Sequence, residues 1–302
     1  MRTYAIWGTP TSDAHEAWVR SVGAEFEHDE FERVDDIADA DFVLNMFDAD
    51  QPKAFRRQSR GTYEISDDPA EVFERLAPLA KSKLVIDNEF VADLEPELWD
   101  GDEVTADIGL AGKRMQELDL LPAPFPVHEY LGERDLRHVM RLYQVGGLSY
   151  GNLSARKDAT RFWMSASGVD KSQLEVAGRD ILLVTGYDED NARMQISVPP
   201  GIEPRRVSVD AIEHWMIYQA HPDVGAILHV HAWMEGIAAT DINYPCGTQE
   251  LAESVATLID REPDPSHAVI GLRNHGITAT GDSLTEILDR IESSILRQVP
   301  MT

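Results

Sequence analysis

The 302 residues carry 54 acidic and 27 basic side chains, a net charge of −27, with 43% apolar residues. Such a length supports one large domain or two ordinary ones, and that apolar share can build a sizeable core. The field of so acidic a surface argues against nucleic acid and anionic membranes as partners. The single cysteine, Cys246, excludes a disulfide framework and a multi-cysteine metal site.

No run approaches the ~18 uninterrupted apolar residues of a membrane span. The first residues, Met1 to Gly8, lack a charged segment followed by a long apolar stretch, so they read as a strand rather than a signal peptide, and a cytoplasmic location is expected. With only six lysines, the acid-rich surface also suits a high-salt cytoplasm, where screening tames self-repulsion.

In chain order, the first half alternates strands and helices. Tyr4–Trp7 is a short strand followed by the turn Gly8-Thr9-Pro10, which lacks the glycine spacing of a dinucleotide fingerprint. A helix is expected from about Asp13 to Val22, then strands over Phe42–Phe47 and Thr62–Ile65. Ala70–Ala80 is helical, with Val72, Phe73, Leu76 and Leu79 near one face, and Leu84–Asp87 is a further strand. Arg56, Arg57 and Arg60 form the densest basic cluster, read either as a solvated face or as an anion or partner site. This alternation predicts a small α/β, Rossmann-like N-terminal domain over residues 1–122. Leu121 to Pro126 holds three prolines in six residues and reads as an extended linker, with a second domain over 128–302.

The second half carries the chemistry. Ala226 to Ala232 begins as a buried strand, and side chains at i and i+2 share a face, so His229 and His231 reach one point in space. Another apolar run, Ala268–Leu272, ends in Arg273-Asn274-His275-Gly276, where the chain turns and a pocket can open. His275 is the third candidate ligand. Three imidazoles with an open fourth position suit a catalytic divalent metal such as Zn²⁺, with Mn²⁺ or a similar ion as the alternative.

Upstream, a helix is expected over Ala211–Ala220, with Ile212, Trp215 and Met216 on its inner face and Ser208 as N-cap. Asp210 then falls in the first turn, either as a carboxylate favoured by the helix dipole or as a metal ligand or general base. Two glycine- and hydroxyl-rich segments, 146–154 and 163–168, read as tight turns or as phosphate cradles.

These pieces occur in an order that resembles the class II aldolase/adducin family: Gly151-Asn152-Leu153-Ser154-Ala155-Arg156, Ser167-Gly168, His221-Pro222-Asp223-Val224 through His229-Val230-His231, Gly247-Thr248-Gln249-Glu250-Leu251, and Arg273-Asn274-His275-Gly276. The likeness covers roughly 130–295. It implies an α/β/α sandwich around a mostly antiparallel sheet, a homo-oligomer that is commonly a tetramer, and a small-molecule substrate of the sugar-phosphate class. By this resemblance His229, His231 and His275 are metal ligands. Asn152, Ser167, Gly168 and Ser208 surround the substrate phosphate, Asp210 is the acid–base group, and Tyr244 is the proton donor to the leaving carbanion. Asp210 stands where the aldolases place Glu and the 4-epimerases Asp, and Val209 replaces a frequent phosphate-contacting Ser. The sequence stops at Thr302, soon after a helix expected over Leu284–Leu296, where aldolases usually continue through further C-terminal helices. The implied activity is metal-dependent retro-aldol cleavage, with a 4-epimerase, a dehydratase or decarboxylase, and a non-catalytic adducin-like module as alternatives.

Overall fold

The computed structural model describes residues 2–9, 12–45, 54–58, 61–121 and 150–301, leaving the side chains of 45, 54–58 and 61–63 undescribed. The chain divides into two compact units, Met1–Ser82 with Met301–Thr302, and Lys83–Pro300.

In the smaller unit, β1 (Thr3–Trp7) is flanked by β2 (Glu32–Arg33) and β3 (Phe42–Asn45), both parallel to it. Ser12 caps α1 (Asp13–His28) by accepting the His15 N–H, and Asp68 caps α2 (Pro69–Lys81) by accepting that of Ala70. β4 (Ala54–Gln58) and β5 (Gly61–Ser66) form an antiparallel pair. α1 runs past the expected Val22 because Phe26 continues its apolar stripe. The Phe26 ring lies 5.1 Å from those of Phe31 and Phe73 and 5.3 Å from that of Phe42. The side chains of Arg56 and Arg57, and all of Arg60, lie outside the described residues.

The larger unit is built on eight strands: β6 (Asp87–Val91), β7 (Asn152–Arg156), β8 (Phe162–Ser165), β9 (Ile181–Asp188), β10 (Arg193–Ser197), β11 (Ala226–Val230), β12 (Val269–Leu272) and β13 (Gly276–Gly281). Their order is β12-β13-β11-β7-β8-β9-β10-β6. Every pairing is antiparallel except β6 with β10, which is parallel. The helices are α3 (Glu103–Glu117), α4 (Ala211–Ala220), α5 (Gln249–Asp260) and α6 (Leu284–Ile291). α3 and α6 pack together and against β7, while α4 packs on α5 and over β9. No helix among the described residues is long and apolar enough to cross a membrane.

Three expectations are corrected here. The compact units meet at Ser82/Lys83 rather than at the proline-rich segment, because β6 joins β10 and Leu94, Leu98, Ile108, Met115, Leu120 and Leu121 enter the core of the large sheet. The proline run itself, from Pro122 onward, lies outside the described residues, as do Gly146–Ser149. The strand expected over Leu84–Asp87 begins at Asp87, since Leu84 makes only an isolated bridge with Thr248. The last helix stops at Ile291 instead of Leu296, whose backbone exchanges hydrogen bonds with Trp233.

Candidate metal centre

Strand register builds the site. On β11, His229 stands directly opposite Asn152 of β7 on one side and Thr278 of β13 on the other. Cross-strand partners share a face of the sheet, and this face looks at α4. Asn152 Nδ2 donates to Asp210 Oδ2 at 2.7 Å, and Thr278 Oγ1 donates to Glu213 Oε1 at 2.5 Å. Two residues further along β7, Ser154 Oγ meets His214 Nδ1 at 2.7 Å and the Tyr218 hydroxyl at 2.9 Å.

The three histidines converge from separate places. His229 sits on the strand, His231 just past its end, and His275 in the β12–β13 turn, where Asn274 adopts φ 58°. Asn tolerates this left-handed geometry because its short amide bonds locally. Ring centroids are 5.2 Å apart for His229–His231 and 4.8 Å for the other two pairs. One ligand atom from each residue lies within 4.8 Å of the others, and His231 Nε2 is 3.1 Å from His275 Nε2. Gly151 is required alongside: with φ 79°, a Cβ there would sit 2.5 Å from the His229 carbonyl oxygen.

His229 also provides a test of whether a metal fits. It is 1% exposed, and its Nδ1 lies 3.0 Å from the Ile277 carbonyl oxygen, which accepts the Nδ1 proton and leaves Nε2 as a bare lone pair. That Nε2 is buried with no hydrogen-bond partner. Buried polar atoms are normally satisfied, and a divalent cation held by this and the other two imidazoles would satisfy it. Burial pushes the His229 pKa down to about 4, helped by the Lys171 charge and opposed by the Ile277 carbonyl, so the ring is neutral and able to ligate at physiological pH.

Two carboxylates lie beneath. Asp210 is raised above the usual range by burial, against the lowering influence of His275, the Asn152 amide, the Lys171 ammonium and the Gly247 N–H. Glu213 is pushed up to about 8 by burial and by the Asp210 charge, with only the Thr278 hydroxyl opposing. Two buried acids this close cannot both ionise cheaply. His275, the Asn152 amide, the Lys171 ammonium and the Gly247 N–H favour the charge on Asp210, against the single Thr278 hydroxyl at Glu213, so the charge belongs on Asp210 and Glu213 is the acid that keeps its proton.

The other expected residues divide. Ala166 bridges to Val207, Ser167 N–H donates to the Arg206 carbonyl, and Ser208 N–H donates to that of Ser165, so the Ser167-Gly168 turn runs beside Ser208. Gly168 is exposed with φ 68° and open space around it. Ser208 is not the helix cap. Its backbone is engaged with Ser165, and Asp210 takes the N-cap position with its side chain turned to Asn152 instead of the helix amides. Asn152 is therefore a partner of Asp210 in this structure. Tyr244 packs on the core, raised by burial and then by the charges of Glu250 and Glu253. It is Cys246, not Tyr244, whose side chain is recorded against the triad, with Sγ 3.4 Å from His275 Nε2.

Sequence reasoning missed Glu213, His214, Lys171, Cys246 and Thr278. It placed Trp215 and Met216 inward on α4, whereas Glu213 and His214 are the buried pair and those two are half-buried. The available signal was a Glu-His dipeptide in an otherwise apolar helix. Lys171 is 3% exposed and lowered to about 8 by burial, with the Asp210 and Asp170 charges opposing. A cavity of about 480 Å³ at the β6 edge, lined by Asp87, Asn88, Phe90, Asn191, Arg193 and Arg206, contains none of the triad.

Residues 136–241 match the family described as the class II aldolase and adducin N-terminal domain. Methylthioribulose-1-phosphate dehydratase of Klebsiella pneumoniae subsp. pneumoniae is 31% identical over 81 residues, covering 27% of this chain and 34% of the relative. The protein of that name from Leptospira biflexa serovar Patoc is 29% identical over 103 residues, covering 33% and 45%. The chain thus spans between a third and a half of the length of these curated relatives. Among solved structures, an L-fuculose 1-phosphate aldolase matches with 19% identity over 64% of this chain and 83% of that one, at a TM-score of 0.43. The L-fuculose-1-phosphate aldolase from Thermus thermophilus matches with 19% identity over 63% and 90%, at a TM-score of 0.39.

Proposed function

We propose that this chain, which carries a class II aldolase and adducin domain, is a metal-dependent lyase that cleaves a small sugar phosphate by a retro-aldol reaction. The observation that carries the reading is the convergence of three imidazoles, one with a buried unpartnered Nε2, beside the buried carboxylate of Asp210. His229, His231 and His275 would hold the ion. When bound, a divalent cation supplies Lewis-acid polarisation of a carbonyl or hydroxyl oxygen.

The chain's own residues do the rest. Asp210 takes and returns the proton, its ionised form favoured by the Lys171 ammonium and, in the loaded protein, by the charge that the three histidines would hold. The Asn152 amide fixes the carboxylate by its 2.7 Å hydrogen bond to Oδ2. The Gly168 N–H and the Ser167 and Ser208 hydroxyls offer donors for a phosphate without a basic side chain. Tyr244 is proposed as proton donor to the leaving fragment.

A second reading is dehydration of the same substrate class. It is favoured by the dehydratase names of the curated relatives, and Asp210 would abstract the proton in either case. Metal content of the purified protein, followed by product analysis on a panel of sugar phosphates, tests both. Two fragments support cleavage, and one product lighter by a water supports dehydration. A metal-free protein inert on every substrate overturns both in favour of a binding module.

A further inference from the structure

Cys246 lies in the loop between His231 and α5. The loop is held by Thr248, whose N–H and hydroxyl both donate to the Pro245 carbonyl, and by the Val85 N–H on the Gly247 carbonyl. Its Sγ stands 3.4 Å from His275 Nε2 and 3.6 Å from Nδ1. In a tetrahedral zinc site with bonds of about 2.0–2.1 Å to nitrogen and about 2.3 Å to sulfur, adjacent donors are separated by about 3.4 Å for two nitrogens and about 3.6 Å for nitrogen and sulfur. The 3.1 Å between His231 Nε2 and His275 Nε2, and the 3.4 Å from Cys246 to His275, are close to those two edges. Independently, the buried His229 Nε2 has no hydrogen-bond partner and belongs to the same cluster. His231 and His275, and His275 and Cys246, are therefore spaced as neighbouring donors around one ion.

We infer that Cys246 is a fourth protein donor to the ion held by His229, His231 and His275, closing the coordination shell when no substrate is present and yielding its place to a substrate oxygen. This rests on the metal reading of the triad. On binding, the thiol releases its proton to solvent and the sulfur forms the bond to the metal, because a coordinating thiol is deprotonated outright. A thiolate in the shell favours the softer ions, so zinc is selected over manganese and magnesium.

The test uses the full chain, stripped of metal and loaded with Co²⁺ alone. The wild-type protein should show a near-ultraviolet sulfur-to-cobalt charge-transfer band that is lost in Cys246→Ser at equal cobalt occupancy. Competition with a chromophoric chelator should place the Zn²⁺ affinity of Cys246→Ser roughly tenfold or more below wild type, with a smaller change for Mn²⁺, as expected when a metal site loses a supporting group. Cys246 is half-buried and Ser is nearly isosteric, so the variant should fold, and its thermal transition checks this. Stoichiometric Co²⁺ without the band, or a band that persists in the variant, overturns the inference and leaves the triad intact. No binding of either ion by wild-type protein overturns the metal reading itself.

Discussion

The two compact units bury different things. In the smaller one, the described buried residues are apolar apart from the Tyr4 hydroxyl and His15, and Phe26 makes ring contacts with four other aromatics. In the larger one, Asn152, Ser154, Lys171, Asp210, Glu213, His214, His229, His275 and Thr278 are all buried. Burying polar groups is unfavourable unless they are paired. One unit avoids the cost, and the other accepts it along one face of the β13-β11-β7 strands, where hydrogen-bonded pairs offset it. The contrast places the candidate site in the unit that buries polar groups.

The sharpest way to break this comparison is to remove donors from the triad. A His229→Ala/His231→Ala protein should lose its metal completely, from about one ion per chain to none by elemental analysis, while staying folded. Retained metal would sink the assignment. Next, Asp210→Asn should keep the metal and lose roughly 10²–10⁴-fold in turnover, as for a missing acid–base group. If metal leaves with activity, Asp210 is a ligand instead. In the small unit, Phe26→Ala should destabilise by about 3–5 kcal/mol through the cavity it leaves, with metal content and affinity unchanged. Denaturant unfolding with parallel metal analysis would read both.

Smaller effects come from the buried titratable groups of the larger unit, measured on metal-free protein. Glu213, raised to about 8, binds its proton in the folded state at pH values where the unfolded chain has lost it. Its contribution is full below the ordinary glutamate range and is lost as pH rises towards about 8. Glu213→Gln should therefore gain stability relative to wild type across that window. His214 is driven down to about 3 by burial and by His229. Its contribution is present above the ordinary histidine range and is lost as pH falls towards about 3, so His214→Gln should flatten the acid limb. Last, the net charge of −27 predicts stability rising with molar KCl as self-repulsion is screened. Indifference to salt would remove that reading.

Much of the site was legible along the chain. The His-x-His spacing on a buried strand, a histidine before glycine at the end of another, and an acid ahead of a helix are local patterns. They singled out His229, His231 and His275 as one ligand set and left Asp210 open, the family resemblance set Asp210 beside them, and the structure brings these residues together. Helix α4 was expected over its observed span, because its apolar run is local, although the expected cap Ser208 is not its N-cap. Less of the domain architecture could be read. The proline-rich stretch looked like a boundary, yet residues 83–121 belong with the large sheet. That depends on a parallel pairing with β10, more than a hundred residues further on, and no local pattern encodes it.

What the sequence determined by itself is the inventory: which residue types can ligate, which segments are apolar enough for strands, and the periodicities that fix their faces. Tertiary structure alone decided the pairings. Strand register set Asn152 and Thr278 on either side of His229 and so gave Asp210 and Glu213 different partners. Close packing put Cys246, 29 residues before His275, within reach of its ring. Burial and partners, which are properties of the assembled core and not of any segment, then separated two similar carboxylates into one that carries charge and one that keeps its proton.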